Sequence, residues 1–200
     1  MKLQLSPLEH DILTEVATIG AGHAIGPISK MINMRIDVTV PTLEMMALEA
    51  VADTMGAADQ DMTAVIVKIR GDAAGTIMLL MEPNAAQRLV RPIAGGQEAS
   101  ALEEIGNILA GSALGALGHF LGLTFMQSVP GSATDMVRAM VNEITAELGA
   151  KTDHILVLTI RFVTETGISG TLYFLFDPAS TQKILVTART VAGGTNAAKS

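Results

Sequence analysis

The chain has 200 residues, of which 49% are hydrophobic and 16% are charged, and these proportions predict a compact folded protein with a sizeable core. Its formal net charge of -7 at pH 7 argues against a nucleic-acid partner, because a polyanion would be repelled and no basic cluster offsets the charge. Since the chain has no cysteine, disulfides, thiol catalysis and cysteine-ligated metals are excluded.

The first half is predicted to begin with a long helix. Ser6-Pro7-Leu8-Glu9 has the pattern of a capping box with proline at the first helical position, so we expect a helix from about Pro7 to Met34. The remaining elements of this half are, in order, a strand over 35–40 that ends at Pro41, a helix over 42–55, and a hairpin of strands over 64–70 and 75–81.

The second half is predicted to repeat this layout. Ser100-Ala-Leu-Glu103 again has the pattern of a capping box and opens a helix that ends at about Gly122. The elements after it are, in order, a strand over 123–129, a helix over 133–148, paired strands over 155–163 and 170–176, and a helix over 178–191, followed by a short flexible tail over 193–200.

The two halves share a motif at a constant offset of 89 residues. Four pairs of positions correspond: Glu15 and Glu104, Thr18 and Asn107, Gly22 and Gly111, and Pro41 and Pro130. A later block that begins at Gly75-Thr76 returns at Gly170-Thr171, now offset by 95 residues. Internal duplication determines the architecture. We therefore expect one domain over 1–200, made of two repeats at about 1–95 and 96–192.

One apolar stretch, over 105–125, is long enough to cross a bilayer. It contains Asn107, Ser112 and His119, and its counterpart in the first half carries Lys30 and Arg35. We therefore predict a buried helix with no membrane insertion. Because the start of the chain has no apolar signal core, a cytoplasmic location is expected.

Glu104 and Asn107 are the candidate site residues. Three positions apart on a helix, they place a carboxylate and a carboxamide on one face. Alone, such a pair fits a solvated helix surface, and Ser100 fits the N-cap of that helix. The full pattern is more specific, with Ser100, Glu104 and Asn107 followed by Pro130. Its degenerate sister consists of Asp11, Glu15, Thr18 and Pro41. No histidine has metal-ligand spacing, so no metal site is predicted.

At these residues the chain resembles the CheC, CheX and FliY family of chemotaxis phosphatases, whose signature is Asp or Ser, Glu, Asn and a later Pro at the same spacing. The second motif matches at every signature position, and the resemblance covers the whole chain. It implies an α+β fold in which two long helices lie over an antiparallel sheet, with internal pseudo-two-fold symmetry.

The resemblance also implies an activity, hydrolysis of the aspartyl phosphate of a CheY-type response regulator. Asn107 would hold the attacking water, and Glu104 would pair with a lysine of the regulator. No cofactor is expected in this chain, because Mg²⁺ would sit in the regulator's own site. Thr18 departs from the pattern, since its hydroxyl replaces a carboxamide, and we expect one working site, in the second repeat.

Two alternatives belong to other functional classes. A binding module without strong catalysis would bind phosphorylated CheY, the receptor deamidase CheD, or both. A flagellar-switch component such as FliY or FliM is the other alternative. Those proteins are expected to have a further C-terminal domain, whereas the sequence ends at Ser200, so this alternative is the less favoured one. The protein is expected to be a monomer.

Overall fold

The computed structural model describes residues 5–56, 58–149 and 153–197. Its helices are α1 (Pro7–Ile32), α2 (Val51–Thr54), α3 (Pro83–Val90), α4 (Glu98–Leu121), α5 (Val137–Gly149) and α6 (Pro178–Ala197), with one 3-10 turn at Leu48–Ala50. Its strands are β1 (Ile36–Val38), β2 (Thr42–Ala47), β3 (Asp61–Gly71), β4 (Gly75–Met81), β5 (Phe125–Gln127), β6 (Gly131–Met136), β7 (His154–Thr164) and β8 (Ser169–Phe176).

The eight strands form one antiparallel sheet in which the two halves exchange strands. The order is β1-β7-β8-β4-β3-β5, with β2 also on β7 and β6 also on β3. Thus β1 and β2 of the first half complete the hairpin of the second half, and β5 and β6 complete the hairpin of the first. A pseudo-two-fold axis passes between β4 and β8, where Met78 pairs with Tyr173. The predicted α+β fold with pseudo-two-fold symmetry is confirmed.

The symmetry extends to the register of the strands. Ile36 pairs with Thr164 at one edge of the sheet, and the corresponding pair at the other edge is Phe125 with Gly71. Likewise, the pairing of β2 with β7 matches the pairing of β6 with β3, residue for residue. Since side chains alternate between the faces of a strand, an identical register gives the two halves the same inward and outward positions.

Helices cover both faces of the sheet. The long helices α1 and α4 pack together over one face, with α3 and α6 beside them, and this layer contains the larger hydrophobic core. The short helix α2 and helix α5 cover the other face. The central strands β4 and β8 are therefore buried on both sides. Among the described residues, no helix is long and apolar enough to span a membrane.

The start of α1 is as predicted. Ser6 Oγ accepts a hydrogen bond from the backbone N–H of Glu9 (3.3 Å), and Glu9 Oε2 accepts one from the N–H of Ser6 (2.6 Å). Glu9 also pairs with Arg189 of α6. The hydrogen bonds from Ser6, reinforced by Arg189, hold the pKa of the Glu9 carboxyl below its ordinary value. This buried carboxylate therefore ties the beginning of α1 to the last helix.

The helix predicted over Thr42–Met55 is wrong in its first part. Residues 42–47 form β2 along the edge of β7, and only 48–54 are helical. The segment Leu43-Glu-Met-Met-Ala47 consists of good helix formers, but the open edge of β7 provides backbone partners that outweigh this local preference. The helix predicted over 133–148 is likewise wrong in its first part, because 131–136 form β6, and it is confirmed from Val137 onward as α5.

The predicted start of α4 is also wrong. The helix begins at Glu98, so Ser100 lies inside its first turn and is not the N-cap, and the Ser100–Glu103 capping box does not form. Gly95 and Gly96 have φ values of 52° and 88°, a conformation that lets the chain turn into the helix earlier than expected. At the other end of the chain, α6 extends past the predicted Val191 to Ala197, so 193–197 of the predicted tail are helical, and 198–200 lie outside the described residues.

Gly106, which stands between Glu104 and Asn107 in the sequence, brings α4 close to the sheet. A Cβ atom at this position would lie 2.5 Å from Cγ1 of the buried Val65 on β3. By contrast, a Cβ at Gly115, on the exposed side of the same helix, would meet nothing within 4 Å. The first glycine is therefore required for packing, whereas the second only lowers helix propensity.

This contrast predicts opposite effects of two matched substitutions. Gly106→Ala should lower the free energy of unfolding by about 1 to 3 kcal/mol, because the added methyl group overpacks the contact with Val65. Gly115→Ala should raise it by about 0.5 to 1 kcal/mol, since alanine has the higher helix propensity. Urea unfolding of both variants measures the two changes. Stabilisation by Gly106→Ala would contradict the close contact between α4 and β3.

Candidate functional site

The Val-Pro dipeptide of each half forms a bulge at a sheet edge. On β3, Ile69 pairs with Gln127 and Ile66 with Gly131, so three residues, 128–130, stand opposite two, 67 and 68. The extra residue interrupts the hydrogen-bond ladder where proline has no N–H to donate. The same arrangement occurs at 39–41 on β7. Pro41 was predicted to end a strand, but the chain continues past this bulge as β2.

The bulge and α4 enclose the candidate site. An open cleft of about 440 Å³ lies between them, and all four residues of the second motif line it: Ser100, Glu104, Asn107 and Pro130, together with Glu103 and 127–129. Val129, at the tip of the bulge, is 89% exposed. The residues that the sequence singled out therefore meet in one place. A cleft of similar size, about 410 Å³, lies between α3 and the start of α4 and contains none of these four residues.

Asn107 is held in the cleft by a residue that the sequence did not single out. The Nε2 amide of Gln127 donates to Asn107 Oδ1 (2.6 Å) and, at 3.3 Å, to the backbone oxygen of the same residue. Gln127 is the last residue of β5, directly before the bulge. The carboxamide of Asn107 is half-buried and thus has a defined partner on the sheet.

Glu103 and Glu104 are adjacent but have different roles. The carboxylate of Glu103 accepts hydrogen bonds from the backbone N–H (3.2 Å) and the hydroxyl (2.8 Å) of Ser132 on β6. Glu104 is exposed and makes no hydrogen bond or ion pair with the described residues. Glu103 therefore links α4 to β6 by hydrogen bonds, while the carboxylate of Glu104 is exposed at the cleft.

The first half keeps the bulge. Thr39 Oγ1 accepts a hydrogen bond from the N–H of Arg161 (3.3 Å), just as Ser128 Oγ accepts one from the N–H of Lys68 (3.0 Å). The degenerate motif residues Asp11, Glu15 and Thr18 are exposed on α1, and Pro41, the last residue of the bulge, is buried. The backbone of the site is thus duplicated.

The polar contacts between helix and strand are not duplicated. Thr18 stands in place of Asn107, and its hydroxyl donates to the backbone oxygen of Thr14 (2.7 Å) within its own helix. Val38 stands in place of Gln127. Thr14 and Leu43 replace the pair formed by Glu103 and Ser132. The first half therefore has neither of the two helix-to-strand pairs. Within the described residues there is no group of three or more metal-binding side chains.

Comparison with known proteins agrees with these observations. The model of the CheC-like family matches residues 98–132, a stretch that runs from the start of α4 to β6 and includes the whole second motif. The CheY-P phosphatase CheC of Bacillus subtilis (strain 168) is 30% identical over 191 residues, which cover 88% of this chain and 91% of that protein. The chain belongs to the CheC-like family.

Solved structures of this fold include relatives with lower identity. The crystal structure of Thermotoga maritima FliY is 19% identical, with a TM-score of 0.76, over 94% of this chain and 100% of that chain. The CheX-CheY-BeF3-Mg²⁺ complex from Borrelia burgdorferi contains a chain that is 15% identical, with a TM-score of 0.54, over 80% of this chain and 97% of that one. These similarities establish the CheC-like fold of the present chain.

The two adjacent glutamates of this CheC-like protein predict a matched pair of stability effects. Glu103→Ala should lower the free energy of unfolding by about 1 to 2 kcal/mol, because Ser132 loses a charged hydrogen-bond partner. Glu104→Ala should change it by less than about 0.5 kcal/mol, because the side chain is exposed. Both are measured by urea unfolding. Equal losses in the two variants would show that Glu104 has a structural contact as well.

Proposed function

We propose that the protein hydrolyses the aspartyl phosphate of a CheY-type response regulator and that the cleft between α4 and the bulge at 128–130 is its working site. The observation that carries the proposal is the half-buried Asn107 carboxamide, held by Gln127 beside the unpaired carboxylate of Glu104. The relationship to the Bacillus subtilis CheY-P phosphatase supports the choice of substrate. The proposal places the protein in the cytoplasm, as a monomer, with its regulator.

Glu104 is assigned the docking role. Its carboxylate has no partner among the described residues and lies at the mouth of an open cleft. A lysine of the regulator could approach it directly, and a charge-assisted hydrogen bond would set the register of the docked surface. The exposed side chain of Val129 offers apolar area to the same partner.

Asn107 is assigned the positioning of water. An aspartyl phosphate is an acyl phosphate, whose carboxylate is a good leaving group, so the enzyme needs little covalent chemistry of its own. The water oxygen forms a bond to phosphorus as the bond from phosphorus to the aspartyl oxygen breaks, and the water proton leaves with the phosphate. Holding that water in line is catalysis by orientation. Mg²⁺ in the regulator's own site would stabilise the charge on the phosphoryl oxygens.

One working site, in the second repeat, follows from the asymmetry of the two halves. Thr18 has one hydroxyl, and that hydroxyl is bonded to the helix backbone. Threonine therefore has no donor left for a water and no carboxamide acceptor. Glu15 is exposed at the position of Glu104, so the proposal leaves the first half a surface for docking without turnover.

Two substitutions at corresponding positions test the assignment of the site. Asn107→Ala should slow the loss of phosphate from phosphorylated CheY by about 10²-fold or more, as the removal of a preorganised polar group does in other active sites. Thr18→Ala should leave the rate unchanged. The decay of CheY phosphorylated with acetyl phosphate and Mg²⁺ is followed with each variant. A large loss with Thr18→Ala would show that the first half takes part in the reaction.

Glu104→Ala should act on binding instead. We expect a KM for phosphorylated CheY raised about tenfold, corresponding to the loss of one charged contact, with kcat changed little. Steady-state phosphate release over a range of CheY concentrations separates the two constants. A fall in kcat at unchanged KM would contradict the docking role. The alternative function, binding of CheY or CheD without turnover, predicts that even the unmodified protein does not accelerate the decay.

A further inference from the structure

We infer that Gln127 is a positioning residue that determines which edge of the Asn107 carboxamide faces the cleft. This inference rests on the proposed function, because it gives Asn107 its catalytic orientation. The two residues come from different elements, α4 and β5, and two hydrogen bonds from the Gln127 amide join them, one to the side-chain oxygen of Asn107 (2.6 Å) and one to its backbone oxygen (3.3 Å).

The hydrogen bonds around Gln127 determine the orientation of both amides. A backbone carbonyl can only accept, so the Gln127 atom that faces the backbone oxygen of Asn107 must be its NH₂ group. The same NH₂ group also faces the side chain of Asn107, which must therefore present its oxygen. The NH₂ group of Asn107 is left to point away from Gln127. One acceptor position of its oxygen and both N–H donors then stay available in the cleft.

Gln127 is not placed there for stability alone. Its own oxygen, Oε1, is buried and has no hydrogen-bond partner among the described residues. A buried polar atom without a partner costs free energy, so an apolar side chain of the same length would suit the fold at least as well. The N–H donors that Gln127 directs to Asn107 explain why an amide stands at position 127.

The first half has the same backbone arrangement without a glutamine at the position of Gln127. Val38 occupies the place of Gln127 and has no amide to donate. A Cβ atom added at Gly22 would meet nothing within 4 Å, whereas one added at the corresponding Gly111 would lie 3.5 Å from Oε1 of Gln127. The first half therefore has room for a glutamine at position 38. It follows that Thr18→Asn alone would create a carboxamide with no partner to orient it.

Two substitutions of Gln127 test the inference directly. Gln127→Met keeps the length of the side chain but removes the donors, and Gln127→Glu replaces the donors by acceptors that face two oxygens of Asn107. Both should lower kcat for phosphorylated CheY by about tenfold or more, the effect of removing a supporting partner, with KM unchanged. The melting temperature of Gln127→Met should be unchanged or raised. Full activity of Gln127→Met would overturn the inference, as would a fall in activity explained by a matching loss of stability.

A second readout does not depend on activity. In a ¹⁵N-labelled protein, the side-chain NH₂ resonances of Asn107 should shift in Gln127→Met and stay in place in Met126→Leu, a substitution on the opposite face of β5. Unchanged Asn107 resonances in Gln127→Met would overturn the inference even if the proposed function were correct. If the unmodified protein failed to accelerate CheY dephosphorylation, the proposed function would fall, and the resonances would still decide whether Gln127 orients Asn107.

Rebuilding the first half tests the same pair by gain of function. In an Asn107→Ala background, Thr18→Asn with Val38→Gln should restore at least several times more phosphatase activity than Thr18→Asn alone. Val38→Gln by itself, in the otherwise unmodified protein, should have no effect. A double substitution that restores no more activity than Thr18→Asn alone would count against the role of Gln127.

Discussion

The exchange of edge strands between the halves is the constraint on which the rest of this structure depends. Each hairpin receives its edge strands from the other half. Strand β7 of the second half pairs with β1 and β2 from the first, and strand β3 of the first half pairs with β5 and β6 from the second. The helix α4 and the strand β5 that together form the proposed working site are adjacent along the chain, yet β5 pairs with β3 of the opposite half. The site therefore forms only when both halves are folded together.

Duplication preserved the backbone of the site more strictly than its chemistry. Both edges of the sheet have the same register and the same bulge. At each bulge a hydroxyl, that of Thr39 or Ser128, accepts a hydrogen bond from the backbone of the neighbouring strand. Among the described residues, the two polar pairs between helix and strand occur in the second half alone. Backbone geometry is needed at both edges because the sheet depends on it, whereas the proposed reaction needs the amide of Asn107 at one edge only. The absence of these pairs at Thr18 and Val38 is thus compatible with an intact fold.

The repeat predicted one duplicated domain and related the two motifs to each other, and the resemblance to the CheC, CheX and FliY family implied the antiparallel sheet and the roles of the site residues. The capping box at Ser6, the long helices and the two hairpins all formed as expected. The edge strands over 42–47 and 131–136 were not predicted, since pairing with another half of the chain is invisible to local helix propensity. The start of α4 was misplaced because the turn at Gly95 and Gly96 was not recognised.

Gln127 was missed for a different reason. It belongs to no family signature that the sequence displays, and its partner is twenty positions away along the chain. The available signal was the difference between the halves. Gln127 and Val38 stand two positions before the repeated Val-Pro dipeptide, as Asn107 and Thr18 stand three after the repeated glutamate. The two positions that form the pair in the second half therefore differ together between the halves.

The claim that the second half contains the working site is tested most directly by mapping the bound regulator. Amide chemical shifts of the ¹⁵N-labelled protein would be recorded during titration with CheY activated by beryllofluoride and Mg²⁺. We expect the largest changes at Glu104, Asn107 and residues 127–130, because the activated aspartate must meet the Asn107 carboxamide. Changes confined to α1 around Glu15 and Thr18, together with the bulge at 39–41, would contradict the account.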